Sequence, residues 1–138
     1  MTLFSETPEG RVFAFLAPSD PATGTWTPVL IDPGPLFGVH SQAAAPFDGT
    51  PRHQVMVGET NICGFDFGTN PDPQIYVYRL LGPPGRVASW ERSLVDRLGT
   101  HEAQAVDLDG DGLPDIVGHD ENTPGNGAVR WWRNVTPR

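Results

Sequence analysis

Trp26-Thr-Pro-Val-Leu-Ile-Asp32 returns 64 residues later as Trp90-Glu-Arg-Ser-Leu-Val-Asp96, with the tryptophan, two apolar positions and the closing aspartate in the same places. Working outward, His40-Ser-Gln-Ala-Ala-Ala-Pro-Phe-Asp48-Gly49 is echoed by His101-Glu-Ala-Gln-Ala-Val-Asp-Leu-Asp109-Gly110, at an offset of 61. Apolar runs ending in glycine follow, Gln54-Val-Met-Val-Gly58 and Asp115-Ile-Val-Gly118. Each unit closes on an alternating aromatic run, Ile75-Tyr-Val-Tyr-Arg79 and Val129-Arg-Trp-Trp-Arg133, and a third copy, Arg11-Val-Phe-Ala-Phe15, opens the chain. Self-similarity at such a spacing marks a repeat architecture.

Each unit offers about four short strands. In the second they fall near Glu91–Asp96, Ala103–Asp107, Pro114–Gly118 and Ala128–Asn134, separated by turns rich in Gly, Pro, Asn and Asp. The expected fold is all-β, with β-propeller blades of four antiparallel strands, about two blades per chain. Residues 10–80 read as the last strand of a preceding blade plus a degenerate blade, and 86–135 as a second blade. A sandwich of eight or nine strands is the alternative, but it gives no reason for the same Trp, His and Asp-Gly marks to recur. Two blades and a spare strand do not close a ring of four to eight. The expectation is therefore a piece of a larger propeller or a homo-oligomer, three copies giving six blades or four giving eight. The leading strand would then complete a neighbour's last blade and remove an exposed edge.

The bulk numbers agree with a loop-rich folded chain of 138 residues: 38% hydrophobic, four tryptophans, sixteen glycines and fifteen prolines. A net charge of −8 with only nine scattered Lys and Arg excludes a nucleic-acid partner, which needs clustered cations. No apolar run approaches the length of a membrane span, and MTLFSETPEG lacks a signal-peptide pattern, so an exported protein would carry its signal elsewhere or have lost it. The one cysteine, Cys63, forms no disulfide within the chain and reads as a small, partly buried apolar residue.

The chemistry concentrates in Asp107-Leu-Asp-Gly-Asp-Gly-Leu-Pro-Asp115. Carboxylates at positions one, three, five and nine (Asp107, Asp109, Asp111, Asp115), with the Leu113 carbonyl at seven, can turn their oxygens onto one hard cation. Gly110 and Gly112 let the chain curl without a Cβ clash. Four carboxylates this close repel one another without an ion, so Ca²⁺ should order the loop and stabilise the fold. An EF-hand would need a glutamate at position twelve, which is Gly118; magnesium prefers fewer carboxylates and more water. The alternative is a solvated acidic turn. In the first unit the counterparts of Asp107, Asp109, Asp111 and Asp115 are Pro46, Asp48, Thr50 and Gln54, so one calcium site per chain is expected.

The stretch from Asp107 to Asn134 resembles an FG-GAP or VCBS-type propeller repeat, which carries Asp-x-Asp-Gly-Asp-Gly-x-x-Asp, a hydrophobic pair with Gly, and a closing strand ending in Trp-Trp-x-Asn. The resemblance implies a Ca²⁺ held by Asp107, Asp109, Asp111, Leu113 and Asp115 between two strands of a blade, as in integrin-type propellers and some lectins. It implies an extracellular setting and a carbohydrate or protein ligand. The run from His101 is also similar to repeats of propeller-type sugar lyases, including aldos-2-ulose dehydratase, where imidazoles and carboxylates hold a catalytic metal. On that reading His40, His101 and His119 are the catalytic candidates, with Glu102, Asp120 and Glu121 nearby. Their other reading is structural, as residues that fix the spacing of neighbouring blades. Trp131 and Trp132 face opposite sides of one strand, so one packs in the core and the other is free to offer a platform to a sugar ring. Asn134-Val-Thr136 matches the N-glycosylation sequon. Three functions stay open: a calcium-stabilised binding module, part of a sugar lyase, and a structural propeller segment.

Overall fold

The computed structural model describes residues 10–61, 69–82, 89–119 and 127–137, and all regular structure among them is β-strand. Nine strands follow in order: β1 (Gly10–Leu16), β2 (Thr27–Leu36), β3 (Val39–Ala45), β4 (Gln54–Glu59), β5 (Ile75–Leu81), β6 (Ser89–Asp96), β7 (His101–Val106), β8 (Asp115–His119) and β9 (Val129–Trp132). They form three antiparallel sheets, β1-β2, β3-β4-β5-β6 and β7-β8-β9. Cys63, Asp120 and Glu121 lie outside the described residues. Among the described residues no helix is long and apolar enough to cross a membrane.

The sheets stack through two apolar layers. Val12, Ile31 and Leu36 of the first sheet meet Val39, Val57, Tyr76 and Tyr78 of the second. The second sheet turns Ala45, Met56 and Ile75, with the adjoining Phe47, towards Ala103 and Ile116 of the third. Side chains alternate across a strand, so a sheet covered on both faces must be apolar on both. This is why β4 runs Val55-Met-Val57 without a polar break. Burial of each such side chain contributes roughly 1.5–3 kcal/mol.

The strands are grouped differently from the sequence expectation. The Trp90 strand, expected to open the second unit, pairs with β5 and closes the middle sheet; the Trp26 strand pairs with β1 in the same way. A repeat fixes a period but not where one sheet ends, and here the hairpin ladder decides. The ladders also correct the alignment of the closing strands by one residue. Val12 stands opposite Asp32, then the register slips to put Phe13 opposite Leu30. Ile75 stands opposite Asp96, then the register slips to put Tyr76 opposite Leu94. Val12, not Arg11, is therefore the counterpart of Ile75. A one-residue shift exchanges the two faces of a strand, and only this register sends Val12 and Ile75 each into the next layer.

Each closing aspartate clasps the following sheet. Asp32 accepts the Tyr78 hydroxyl at 2.7 Å and Arg92 Nη1 at 3.1 Å; Asp96 accepts the indole N–H of Trp132. Tyr78 and Trp132 are equivalent positions of β5 and β9, so the recurring aspartate has a physical role as an inter-sheet acceptor. Strands β3 and β7 lie side by side at the second junction, where Ser41 Oγ accepts the Ala103 N–H at 2.9 Å. The chain reaches β7 through Gly99, at φ +64; a Cβ there would lie 2.5 Å from Pro73 Cβ and 2.7 Å from the Glu59 carbonyl oxygen.

Glu59 ends β4 with its carboxylate buried, accepting the N–H of Phe37 at 2.7 Å and of Gln74 at 2.9 Å. Burial pushes its pKa up, and these N–H groups and the Asn70 amide only partly oppose the rise. A carboxyl whose folded pKa is raised adds stability below its unfolded value of about 4.3 and loses it as pH rises through the folded value. The urea midpoint should accordingly fall as pH rises through that window. Glu59→Gln should flatten this part of the profile, although its amide cannot accept both N–H groups and lowers stability throughout. Equal slopes in the two proteins would refute the assignment to Glu59.

Candidate functional site

The loop between β7 and β8 is built by its aspartates. Asp107 accepts the N–H of Gly110 on Oδ1 and of Gly112 on Oδ2, each at 2.9 Å. Asp109 Oδ1 accepts the Asp111 N–H at 3.2 Å, and Asp111 Oδ1 accepts the Leu113 N–H at 2.8 Å. Such turns need left-handed backbone where the chain reverses, and Gly110 and Gly112 supply it at φ +76 and +85. The Leu113 side chain is buried beneath the loop and pins it to the core.

Asp107, Asp109 and Asp115 bring carboxylate oxygens within 4.8 Å of one another, a spacing suited to a shared cation. Asp111 is outside this triad. Asp115 is 1% exposed and accepts the N–H of Leu108 at 3.1 Å and of Asn134 at 2.7 Å. Burial pushes its pKa up, but those N–H groups, the Trp131 indole and the Arg133 charge together hold it below the ordinary carboxylate value. The buried ligand thus stays ionised, as a hard cation requires.

Two residues at this site escaped the sequence reading. Arg133 Nε donates to Asp109 Oδ2 at 2.6 Å and supplies a counter-charge. The Asn134 side-chain amide donates to the carbonyls of Phe47 at 2.7 Å and Pro114 at 3.0 Å, joining the loop to the middle sheet. Their signal in the sequence is the end of the closing strand, Trp131-Trp132-Arg133-Asn134. The same bonds correct the sequon reading: the Asn134 amide is half-buried and already committed to two carbonyls.

The first unit keeps the turn and replaces the charge. Gly49 has φ +71, and Asp48 Oδ1 accepts the Thr50 N–H at 3.0 Å, matching Gly110 and Asp109. At the place of Asp115 stands buried Gln54, whose Oε1 accepts the Asp48 N–H at 3.1 Å and whose Nε2 donates to the Arg52 carbonyl at 2.8 Å. A neutral amide closes this loop. Among the described residues it forms no acidic cluster.

The histidines meet at the second junction. His40 on β3 stacks on His101 of β7 with ring centroids 4.7 Å apart, and His101 meets His119 edge-on at 5.1 Å. His101, Glu102 and His119 form a second group spaced for a cation. Glu102 holds φ +49, the one positive φ found on a non-glycine among the described residues, within a register shift of β7. Strained backbone of this sort concentrates at functional positions.

The tryptophans divide as their alternation requires. Trp132 packs against the second core layer, and its indole N–H is bonded to Asp96. Trp131 points the other way and is 47% exposed.

No family model, curated protein or solved structure matches this chain.

Proposed function

We propose that this chain is a calcium-binding β-propeller module of the FG-GAP or VCBS kind, contributing about two blades to a larger or oligomeric ring, and that it acts outside the cell as a carbohydrate- or protein-binding surface. The observation that carries the calcium assignment is the Asp107–Asp109–Asp115 triad on a turn opened by Gly110 and Gly112. All-oxygen donors with carboxylates predominating suit Ca²⁺ better than softer metals. An exposed loop site is of the type that fills at the millimolar calcium found outside cells. The stacked antiparallel sheets and the repeated aspartate clasp support the propeller reading. Exposed Trp131, next to the loop on the outer face, is the residue assigned to a sugar or protein ligand.

Calorimetric titration with CaCl₂ tests the site. One ion per chain is expected, and at a hundred times Kd the folded state should gain about 2.7 kcal/mol. Asp107→Asn should abolish both effects. Arg133→Gln should tighten binding, because Arg133 and the ion compete for Asp109. Absence of heat and of thermal stabilisation at 10 mM Ca²⁺, roughly ten times the weakest extracellular sites, would refute the assignment.

The His101–Glu102–His119 group favours a second reading, part of a sugar lyase with a metal-dependent site. An imidazole-carboxylate donor set suits zinc or a similar ion, which would acidify a proton beside a carbonyl. The readings separate cleanly: a lectin binds a glycan array without turnover, whereas a lyase loses turnover in His101→Ala while keeping calcium.

A further inference from the structure

His101 and His119 stand directly opposite each other at one end of the β7-β8 hairpin; the acidic loop closes the other end, where Val106 meets Asp115. Opposed positions on antiparallel strands hold their Cβ atoms roughly 4.5–5.5 Å apart, so two imidazoles placed there can reach one ion. Glu102, the next residue, would face away from His101 in a regular strand. A bulge prevents this: β7 advances three positions from His101 to Gln104 while β8 advances two. With Glu102 at φ +49, the bulge turns the carboxylate back to the rings, and donor atoms of all three side chains lie within 4.8 Å of one another. We propose that His101, Glu102 and His119 bind one divalent transition-metal ion of the zinc class, independently of the acidic loop, in a site open to a further ligand from solvent.

The first unit shows that the repeat itself does not require these residues. Strand β3 carries the same bulge, two positions from Val39 to Ser41 against one from Glu59 to Gly58. Gly58 lies against Ser41 as Gly118 lies against Ala103. The ladders thus set Val39 level with His101, His40 with Glu102 and Glu59 with His119, one residue off the register suggested by the recurring histidine. Val39 is buried and has no side-chain donor, and Glu59 gives its carboxylate to the N–H groups of Phe37 and Gln74. The bulge belongs to the repeat, whereas the ligands are particular to the second unit. Their backbone is held in place. Thr100, just before His101, donates its N–H to the Glu59 carbonyl at 2.7 Å and its hydroxyl to the His119 carbonyl at 3.4 Å. His40 stacks on His101 at 4.7 Å and is a positioning residue that fixes the plane of that ring. Two imidazoles with one carboxylate favour zinc-class ions, while Ca²⁺ takes oxygen donors. Three protein ligands leave a fourth position, and Glu102 is exposed with both histidines half-buried, so that position meets solvent. The assignment rests on the donor group behind the lyase reading but needs no turnover.

ZnCl₂ titrated into the full chain under saturating CaCl₂ is the test, with Co²⁺ as the spectroscopic probe. One zinc per chain is expected, and a visible cobalt spectrum of a four-coordinate ion. His101→Ala and His119→Ala should each weaken binding by more than the roughly tenfold to hundredfold that residues orienting a ligand contribute. His53→Ala, which changes the remaining histidine, should have no effect. His40→Phe keeps the stack and should keep the ion, whereas His40→Ala should weaken binding about tenfold. Glu102→Gly removes the donor and relieves the left-handed backbone, so affinity should fall while the metal-free melting temperature does not. That variant decides the matter even if alanine at either histidine unfolds the chain. No zinc bound at about 0.1 mM ion, where a three-ligand site is full, would overturn the inference. So would binding undiminished in Glu102→Gly, or zinc displaced by calcium. Zinc bound at this group without sugar turnover would uphold the site and remove the lyase reading.

Discussion

Asp115→Ala should lower the unfolding free energy by about 2–4 kcal/mol whether or not calcium is present. The side chain is fully buried, and its two oxygens take the N–H groups of Leu108, at the start of the loop, and of Asn134, just beyond β9. Truncation leaves both donors without their acceptor, and water is poorly placed to replace it. Asn134 would also be released from the position in which its amide bridges Phe47 and Pro114. Asp107→Ala is the contrast. It sits on the exposed turn and serves only Gly110 and Gly112, so metal-free stability should fall by no more than about 1 kcal/mol. Both variants should lose the calcium response. Denaturant unfolding with EDTA and with saturating CaCl₂ reads the two effects apart. If Asp115→Ala were as mild as Asp107→Ala without metal, the aspartate would not be the structural post of the loop.

The second large effect is expected at the first junction. Asp32→Ala removes one carboxylate that accepts from the Tyr78 hydroxyl, the Arg92 guanidinium and the Gly34 N–H. Tyr78 is among the most deeply buried side chains, so its hydroxyl is left with no solvent to turn to. Burial, then the adjacent carboxylate, push the phenol pKa far up, which keeps it a donor. A loss of about 2–4 kcal/mol follows, since a buried donor and a half-buried charge lose their acceptor together. Tyr78→Phe removes the donor instead and should cost about 1–2 kcal/mol, because Arg92 still satisfies Asp32. A double-mutant cycle should return a coupling of about 1 kcal/mol or more. Additive losses would show that the hydrogen bond does not join the sheets.

Much of this molecule is legible along the chain. Alternation and turn residues place most of the strands to within a few positions, because strand faces and Gly-rich reversals are local properties. The acidic loop reads locally too: its clustered carboxylates lie within nine residues, and the glycines that let it turn stand between them. The recurrence of Trp, His and Asp-Gly reveals the period. It does not reveal the phase, and the Trp90 strand belongs to the sheet before it, because hydrogen bonding follows the β5-β6 hairpin and not the order in which marks recur.

The rest required the fold. The repeated aspartate looks like a strand end in the sequence; its purpose appears only when Asp32 is found 46 residues from the Tyr78 hydroxyl it accepts. Arg133 reaches Asp109 across 24 residues, and Asn134 reaches Phe47 across 87. A one-residue slip in β1 decides which of its faces is core, and only the opposing strand can fix that register. Local chemistry wrote the strands, the turns and the acidic loop. Long-range pairing, which no local pattern encodes, decided how they are grouped and what clasps them together.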